Sequence, residues 1–402
     1  MLNKIKKYYC NHGFIGTLVW LFSKPQHIVM KKINYYKCLN IKEGNIKNYV
    51  FYKKKVFIFT GIPYFDIGGG QRSSQLTKEF NKIGYDVVYL YRIPSSESKI
   101  CKMEIPTVIH KFIKNFKLEE FKKLLTQDDI VIFEIPAKEF VPFMEYAMKV
   151  NNKIIYETID NWETNLGDGF FDKKSLNTFI INSNYLTATA KPLINQINKY
   201  QEKLSIKKNV YYLPNAVDVN LFDYNKKYDV PSDLIIGKKT FIYYGSLWGS
   251  WFDWNIIKYI SSLDKEYQIN LIGDYNNILH IVRTMPSNVH FLGLKSQKEL
   301  PNYLKYSDYT LLPFKTDSIG NYVSPLKVFE YIAMHKITIS SKLPDIIGYP
   351  NVKFIDNISD IDLIVKEKNV IDVKKTNDFI KSNSWNNRCN EIIKIVSEVE
   401  NE

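Results

Sequence analysis

Val56-Phe57-Ile58-Phe59-Thr60, with Gly61-Ile62-Pro63 directly after it, sets the reading of this 402-residue chain. A short run rich in aromatic and β-branched residues marks a strand buried on both faces. Ile67-Gly68-Gly69-Gly70-Gln71-Arg72 follows as a glycine-rich loop. From Ser73 the apolar residues fall at helical spacing (Leu76, Phe80, Ile83), and Gly84 stops the helix. Asp86-Val87-Val88-Tyr89-Leu90-Tyr91 is the next strand. Strand, loop, helix and strand make one crossover unit, which requires a parallel sheet with helices on its faces.

Further strands at 130–133, 153–159, 185–190 and 210–213 continue the series. A second series starts at Thr240-Phe241-Ile242-Tyr243-Tyr244-Gly245, with strands at 269–272, 289–293, 309–312, 337–340 and 352–355. Residues 223–239 are polar, hold Pro231 and Gly237, and read as a linker. The spacing therefore predicts an α/β chain of two facing, doubly wound Rossmann-like domains, 55–222 and 240–376. A C-terminal segment, 377–402, follows. Such a pair places a cleft at the carboxyl ends of both sheets. There is no tandem repeat.

The charge is uneven. Residues 1–55 contain twelve lysines and one glutamate, which is +11 of the net +13. The remaining body is close to neutral, which argues against a nucleic-acid binder. The four cysteines (Cys10, Cys38, Cys101, Cys389) have no metal or redox spacing, so a reducing cytoplasm is the plain expectation. The apolar run 14–22 is too short to span a bilayer, and no cleavage site follows it. The basic segment 1–54 either lies on an anionic membrane surface or packs as a solvated arm.

Ser324-Pro325-Leu326-Lys327-Val328-Phe329-Glu330-Tyr331 carries the most chemistry. A proline opens a helix, and Lys327 and Glu330 share the face of its first turn. A helix start attracts phosphate through free amides and the macrodipole. Lys327 adds a full charge, and Glu330 can accept from two ribose hydroxyls. Read alone, the window also describes an ordinary helix with a Lys-Glu pair. Gly68-Gly69-Gly70 and Gly245-Ser246 each follow a strand and free amides for a phosphate, or simply make tight turns. No Gly-x-Gly-x-x-Gly or Walker loop is present, and Tyr91-Arg92 supplies no acid for a nicotinamide ribose. Asp360-Ile361-Asp362 has the form of a metal motif but sits at a helix start, where capping is the expected role. The six histidines form no ligand cluster.

Together these stretches resemble the GT-B glycosyltransferases of family 4, in the branch that builds capsule, teichuronic acid and lipopolysaccharide. The matching stretches run in order: 68–72, Tyr-Glu-Thr-Ile-Asp-Asn-Trp at 156–162, Pro-Asn-Ala-Val-Asp at 214–218, Tyr-Gly-Ser-Leu at 244–247, Gly-Asp at 273–274, and 324–331. Ser384-Trp385 and Arg388 come last. His-Gly-Phe-Ile-Gly-Thr-Leu at 12–18 is also similar to a lead-in of some rhamnosyltransferases. The resemblance implies a retaining transferase moving a hexosyl or deoxyhexosyl group from a nucleotide-diphosphate sugar to a cell-surface glycan or lipid-linked acceptor. It needs no cofactor and no metal. It implies a donor site of Gly69, Gly70, Arg72, Gly245, Ser246, Gly273, Asp274, Tyr322, Val323, Ser324, Leu326, Lys327 and Glu330. The C-terminal segment is expected to cross back to the first domain. Three departures stand out. Tyr322 takes the place of the first glutamate of the family's Glu-x7-Glu pair. The Trp248–Asp253 loop has no cation. The strand end Phe133-Glu134 replaces a histidine, which leaves Glu134 or Asp160 to orient the acceptor. The catalytic expectation is thus Lys327, Glu330, Asp160 and Glu134. A non-catalytic GT-B subunit, a GT-B epimerase and a phosphorylase are the rival readings.

A chain lacking residues 1–50 decides between the two roles of the basic segment. Loss of pelleting with anionic liposomes supports surface binding at the inner leaflet; unchanged pelleting contradicts it.

Overall fold

The computed structural model describes residues 53–65, 70–93, 107–150, 153–316 and 319–397. Gly68, Gly69 and the basic N-terminal segment up to residue 52 lie outside them. The phosphate-loop and membrane expectations placed on those residues are therefore sequence readings alone.

The first sheet contains β1 (Lys55–Thr60), β2 (Asp86–Tyr91), β3 (Val108–Phe112), β4 (Ile130–Phe133), β5 (Ile154–Thr158), β6 (Tyr185–Ala188) and β7 (Val210–Tyr212). The second contains β8 (Lys239–Tyr244), β9 (Tyr267–Ile272), β10 (Val289–Gly293), β11 (Tyr309–Leu312), β12 (Ile337–Ser341) and β13 (Val352–Ile355). Their orders are β3-β2-β1-β4-β5-β6-β7 and β10-β9-β8-β11-β12-β13. Every strand pair is parallel. The two-domain, doubly wound expectation is met. In each sheet the order reverses once, between β1 and β4 and between β8 and β11. Open α/β sheets take ligands at such points, beyond the carboxyl ends of the strands.

β1 is buried along its whole length because helices cover both faces. Even Lys55 is inside, where its ammonium lies 3.2 Å from Asp129 and its backbone N–H donates to the same carboxylate at 2.8 Å. Phe59 stacks on Phe133 at 4.5 Å, with Phe121 edge-on to Phe57 at 5.1 Å, so aromatic rings fill one side of this sheet. Strand β3 was not expected from the sequence. It is an edge strand in which His110 and Lys111 interrupt the apolar run.

The chain crosses between the domains at 383–385. Val217 N–H donates to Asn383 at 3.0 Å, and Trp385 N–H donates to Val217 at 3.2 Å. Helix Val373–Ser382 stays on the second domain, with Phe379 stacked on Phe329 at 5.8 Å. Helix Trp385–Ser397 lies against helix Arg72–Lys82, where the Cys389 thiol donates to the Leu76 carbonyl at 3.8 Å.

A buried guanidinium ties this junction. Arg72 donates to both carboxylate oxygens of Glu157 at 2.8 and 2.7 Å, to the Pro214 carbonyl at 3.0 Å and to Asn215 Oδ1 at 3.3 Å. It also lies 5.7 Å from the centre of the Trp385 ring. Arg388 donates to the same Pro214 carbonyl at 2.8 Å. Removing one partner of a buried pair leaves an uncompensated charge, at a cost of about 3–5 kcal/mol. Glu157→Ala is expected to lower the stability of the first domain by about that amount, read by chemical denaturation. A change below about 1 kcal/mol contradicts the bracing role.

Candidate active site

Helix Leu326–Ala333 begins at Pro325, and its inner face buries Val328, Phe329, Tyr331 and Ile332. That packing fixes Lys327 at the helix start, directly under the turn after β8. Gly245 has φ +136°, and a side chain there would come to 3.2 Å from Lys327 Nζ. Gly273, with φ +156°, would put a side chain 2.2 Å from the Gly245 carbonyl. Both positions thus require glycine: the two strand ends close on one another and leave room only for the lysine.

The Lys327 ammonium lies 5.3 Å from the Tyr243 ring centre and 5.2 Å from that of Phe314. It forms no salt bridge among the described residues. Dense packing pushes its pKa down to about 8, and the charge of Glu330 offsets only part of this. A cation at the positive end of a helix dipole, with aromatic faces in place of a counterion, is set to receive an anion. The Ser246 hydroxyl beside it is buried and has no hydrogen-bond partner.

Glu330 is only 2% exposed. It accepts from the Tyr244 hydroxyl and, at 3.1 Å, from Gln297 Nε2. Burial raises its pKa to about 7, while Tyr244, Gln297 and Lys327 lower it less. Gln297 Oε1 in turn accepts from Gln75 Nε2 at 2.8 Å, and Gln297 packs over Gly70. A chain of side chains therefore runs from Glu330 across the cleft to the first domain. Sequence reading missed Gln75, Gln297 and Tyr244. Only Tyr244 lay inside a quoted motif, as the first residue of 244–247, with no role given to it; two glutamines 222 positions apart give no local signal.

Two further contacts close the seam. Asn215 Nδ2 donates to the Ser324 carbonyl at 2.7 Å. Asp345 accepts from the Lys191 backbone and from the Tyr212 hydroxyl, both at 3.0 Å. Tyr322, in the place of a glutamate, packs on Ala188, Ala190 and Leu193 of the first domain. Leu326 reaches the first domain's core, and Val323 packs on that of the second.

The structure brings Gly70, Gly245, Ser246, Gly273, Ser324, Lys327 and Glu330 to the facing strand ends. Arg72 is not among them, since its donors are engaged in the brace described above. Asp274 turns into its own loop, accepting from the Asn276 backbone at 3.0 Å. Asp160 follows β5 and is partly buried, which pushes its pKa to about 7. It borders a cavity of about 10 Å³, beside Tyr156, Thr158, Trp162 and Gln196. Glu134 directly follows β4 and is described below. Asp360 accepts from the Asp356 and Asn357 backbones at 2.9 and 2.8 Å, in the turn before helix Asp360–Lys366, and so does not cap that helix as expected; Ser359 is the N-cap residue. Among the described residues no three of His, Cys, Asp and Glu stand together as metal ligands. No helix there is long and apolar enough to cross a membrane.

No family profile matches the chain. The putative teichuronic acid biosynthesis glycosyltransferase TuaH of Bacillus subtilis is 25% identical over 213 residues, covering 48% of this chain and 51% of that protein. A galactoside 2-α-L-fucosyltransferase of Caenorhabditis elegans is 33% identical over 102 residues, 25% of this chain and 22% of that protein. The chain thus spans about half the length, or less, of these curated relatives. Solved structures align over nearly their whole length. A glycosyltransferase from Rickettsia africae has a TM-score of 0.60 at 16% identity, covering 87% of this chain and 99% of its own. Sucrose-phosphate synthase from Thermosynechococcus elongatus gives 0.63 at 10% identity, with 87% and 100% covered. Anabaena HepE, solved with UDP and glucose, gives 0.54 at 12%, with 87% and 99% covered. The fold is that of the GT-B glycosyltransferases.

The lowered pKa of Lys327 has a measurable sign. As pH rises through about 8 the empty site loses its positive charge, and a bound diphosphate restores it. Binding of a nucleoside diphosphate near pH 8.5 is expected to take up about three-quarters of a proton, and clearly less near pH 6.5. Calorimetry in buffers of different ionisation heat reads this; no uptake at the higher pH contradicts the placement.

Proposed function

We propose that this protein is a retaining GT-B glycosyltransferase of family 4. It moves a hexosyl or deoxyhexosyl group from a nucleotide-diphosphate sugar to a cell-surface glycan or lipid-linked acceptor. The uncompensated Lys327 ammonium beside Gly245 and Ser246 carries the reading. That arrangement suits the leaving diphosphate, whose negative charge grows as the bond to the sugar breaks. Glu330 suits the ribose, with Gln297 giving way to its hydroxyls.

In the proposed reaction the acceptor hydroxyl oxygen attacks the anomeric carbon from the side the diphosphate leaves. The carbon–oxygen bond to the diphosphate breaks through an oxocarbenium-like state. The departing phosphate oxygen takes the acceptor proton, so retention needs no protein nucleophile. The Gly245–Ser246 loop and the helix amides share the phosphate charge with Lys327. Asp160, just after β5, is assigned the orientation of the acceptor. Closure of the two domains excludes water, and the seam at Gln75–Gln297 and Asn215–Ser324 is the contact that closure makes. The basic stretch 1–55 would hold the enzyme at the inner face of the cytoplasmic membrane. No metal and no cofactor is assigned a step.

Release of nucleoside diphosphate from UDP-glucose, UDP-galactose, GDP-mannose and TDP-rhamnose tests the reading. Slow release without acceptor from one of them supports an enzyme; none, with or without glycan acceptors, supports the non-catalytic subunit. Lys327→Ala is expected to cut turnover by about 10²–10³-fold. Glu330→Ala is expected to weaken donor binding by about 10–100-fold. Wild-type kinetics in both would overturn the site.

A further inference from the structure

Glu134 directly follows β4 at the point where the strand order of the first sheet reverses, next to the end of β1. It is 1% exposed, and its Oε1 has no hydrogen-bond partner. An orphan buried carboxyl oxygen is costly to keep unless something fills its place. The groups that face it are few. Arg72 is the nearby cation, but its fork is closed on Glu157 at 2.8 and 2.7 Å. Two carboxyl groups thus share one guanidinium, and the bidentate bond goes to Glu157. The others are neutral: the hydroxyls of Thr60 and Ser73, and the Tyr89 phenol, which is 3.1 Å from the Ser73 hydroxyl. Burial first, and then the charge of Glu157, push Glu134 up to about 8, with Thr60, Arg72 and Ser73 lowering it less.

We propose that Glu134 works as a neutral carboxylic acid, donating a hydrogen bond to a hydroxyl of the bound sugar rather than acting as a base. This rests on the glycosyltransferase reading and gives Glu134 a stated protonation state and contact where the sequence offered Glu134 or Asp160 for one orienting role. The site fits a hydroxyl: it both donates and accepts, so it satisfies Oε1 whichever oxygen carries the proton. It fits an anion poorly, because Glu157 and a desolvated pocket would repel one. Proton transfer is not required of the residue; the acid keeps its proton and orients the sugar.

The Arg72 brace gives the acid its environment. With Glu157 held by two bonds, its charge stays fixed beside Glu134 and favours the protonated form there.

The test compares Glu134→Gln with Glu134→Ala in the full chain, using the donor from the sugar-nucleotide panel that the wild type turns over. Glutamine keeps a donor in the same place. Glu134→Ala is expected to lose about 100-fold in turnover, and Glu134→Gln to regain at least tenfold of that. Equal loss in both overturns the proposal, since a base cannot be replaced by an amide. Infrared pH-difference spectra need no substrate: the wild type should show a protonated-carboxyl band near pH 7 that fades above about pH 8 and is missing from Glu134→Gln. Absence of that band from the wild type also overturns it. If the wild type turns over none of the four donors, the transfer reading falls and takes this one with it. If it turns one over and the two variants match, only the role of Glu134 falls.

Discussion

A cation without a counterion is the constraint on which the second domain is organised. Lys327 is held at the positive end of its own helix, under a turn whose glycine leaves room for no other side chain, and between two aromatic faces. Burial there lowers its pKa to about 8, and the charge of Glu330 offsets only part of this. In the proposed donor site this arrangement is preorganisation: a bound phosphate would supply the missing counterion. Arg72 shows the opposite solution. It is the more deeply buried of the two, yet two carboxylate oxygens, a backbone carbonyl and an asparagine satisfy it. One cation is therefore satisfied within the protein, and the other is the one proposed for the donor.

The two sites meet across the cleft. Arg72 begins the helix that carries Gln75, and Gln75 reaches Glu330 through Gln297. Asn215 contacts Arg72 on one side and the Ser324 carbonyl on the other, directly before the Lys327 helix. A shift of one domain against the other must break these polar contacts. Glu330, the carboxylate proposed for the ribose, is thus covered by the seam. In the proposed reaction a donor's hydroxyls would replace the amide of Gln297.

The fold was legible because parallel strands covered on both faces read as unbroken apolar runs. Val56–Thr60, 130–133 and 309–312 stood out for that reason. Edge strand β3 did not, because His110 and Lys111 break its run. Lys327 and Glu330 were visible because a helix start fixes two side chains from local spacing. The resemblance put Arg72 in the donor site, while its partner in the structure, Glu157, lies 85 residues on and no local spacing points to it. Gln297 could not be found at all. Its importance comes from the approach of two domains, which no single stretch encodes.

Thermal unfolding of the wild type and Lys327→Ala with UDP, GDP, TDP, ADP and CMP, with and without Mg²⁺, tests the central claim most directly. Ligand at a hundred times its dissociation constant adds about 2.7 kcal/mol of stability, a clear shift in melting temperature. The account predicts one nucleoside diphosphate that stabilises the wild type without metal and leaves Lys327→Ala nearly unmoved. No stabilisation by any of them, or equal stabilisation of both proteins, would contradict it.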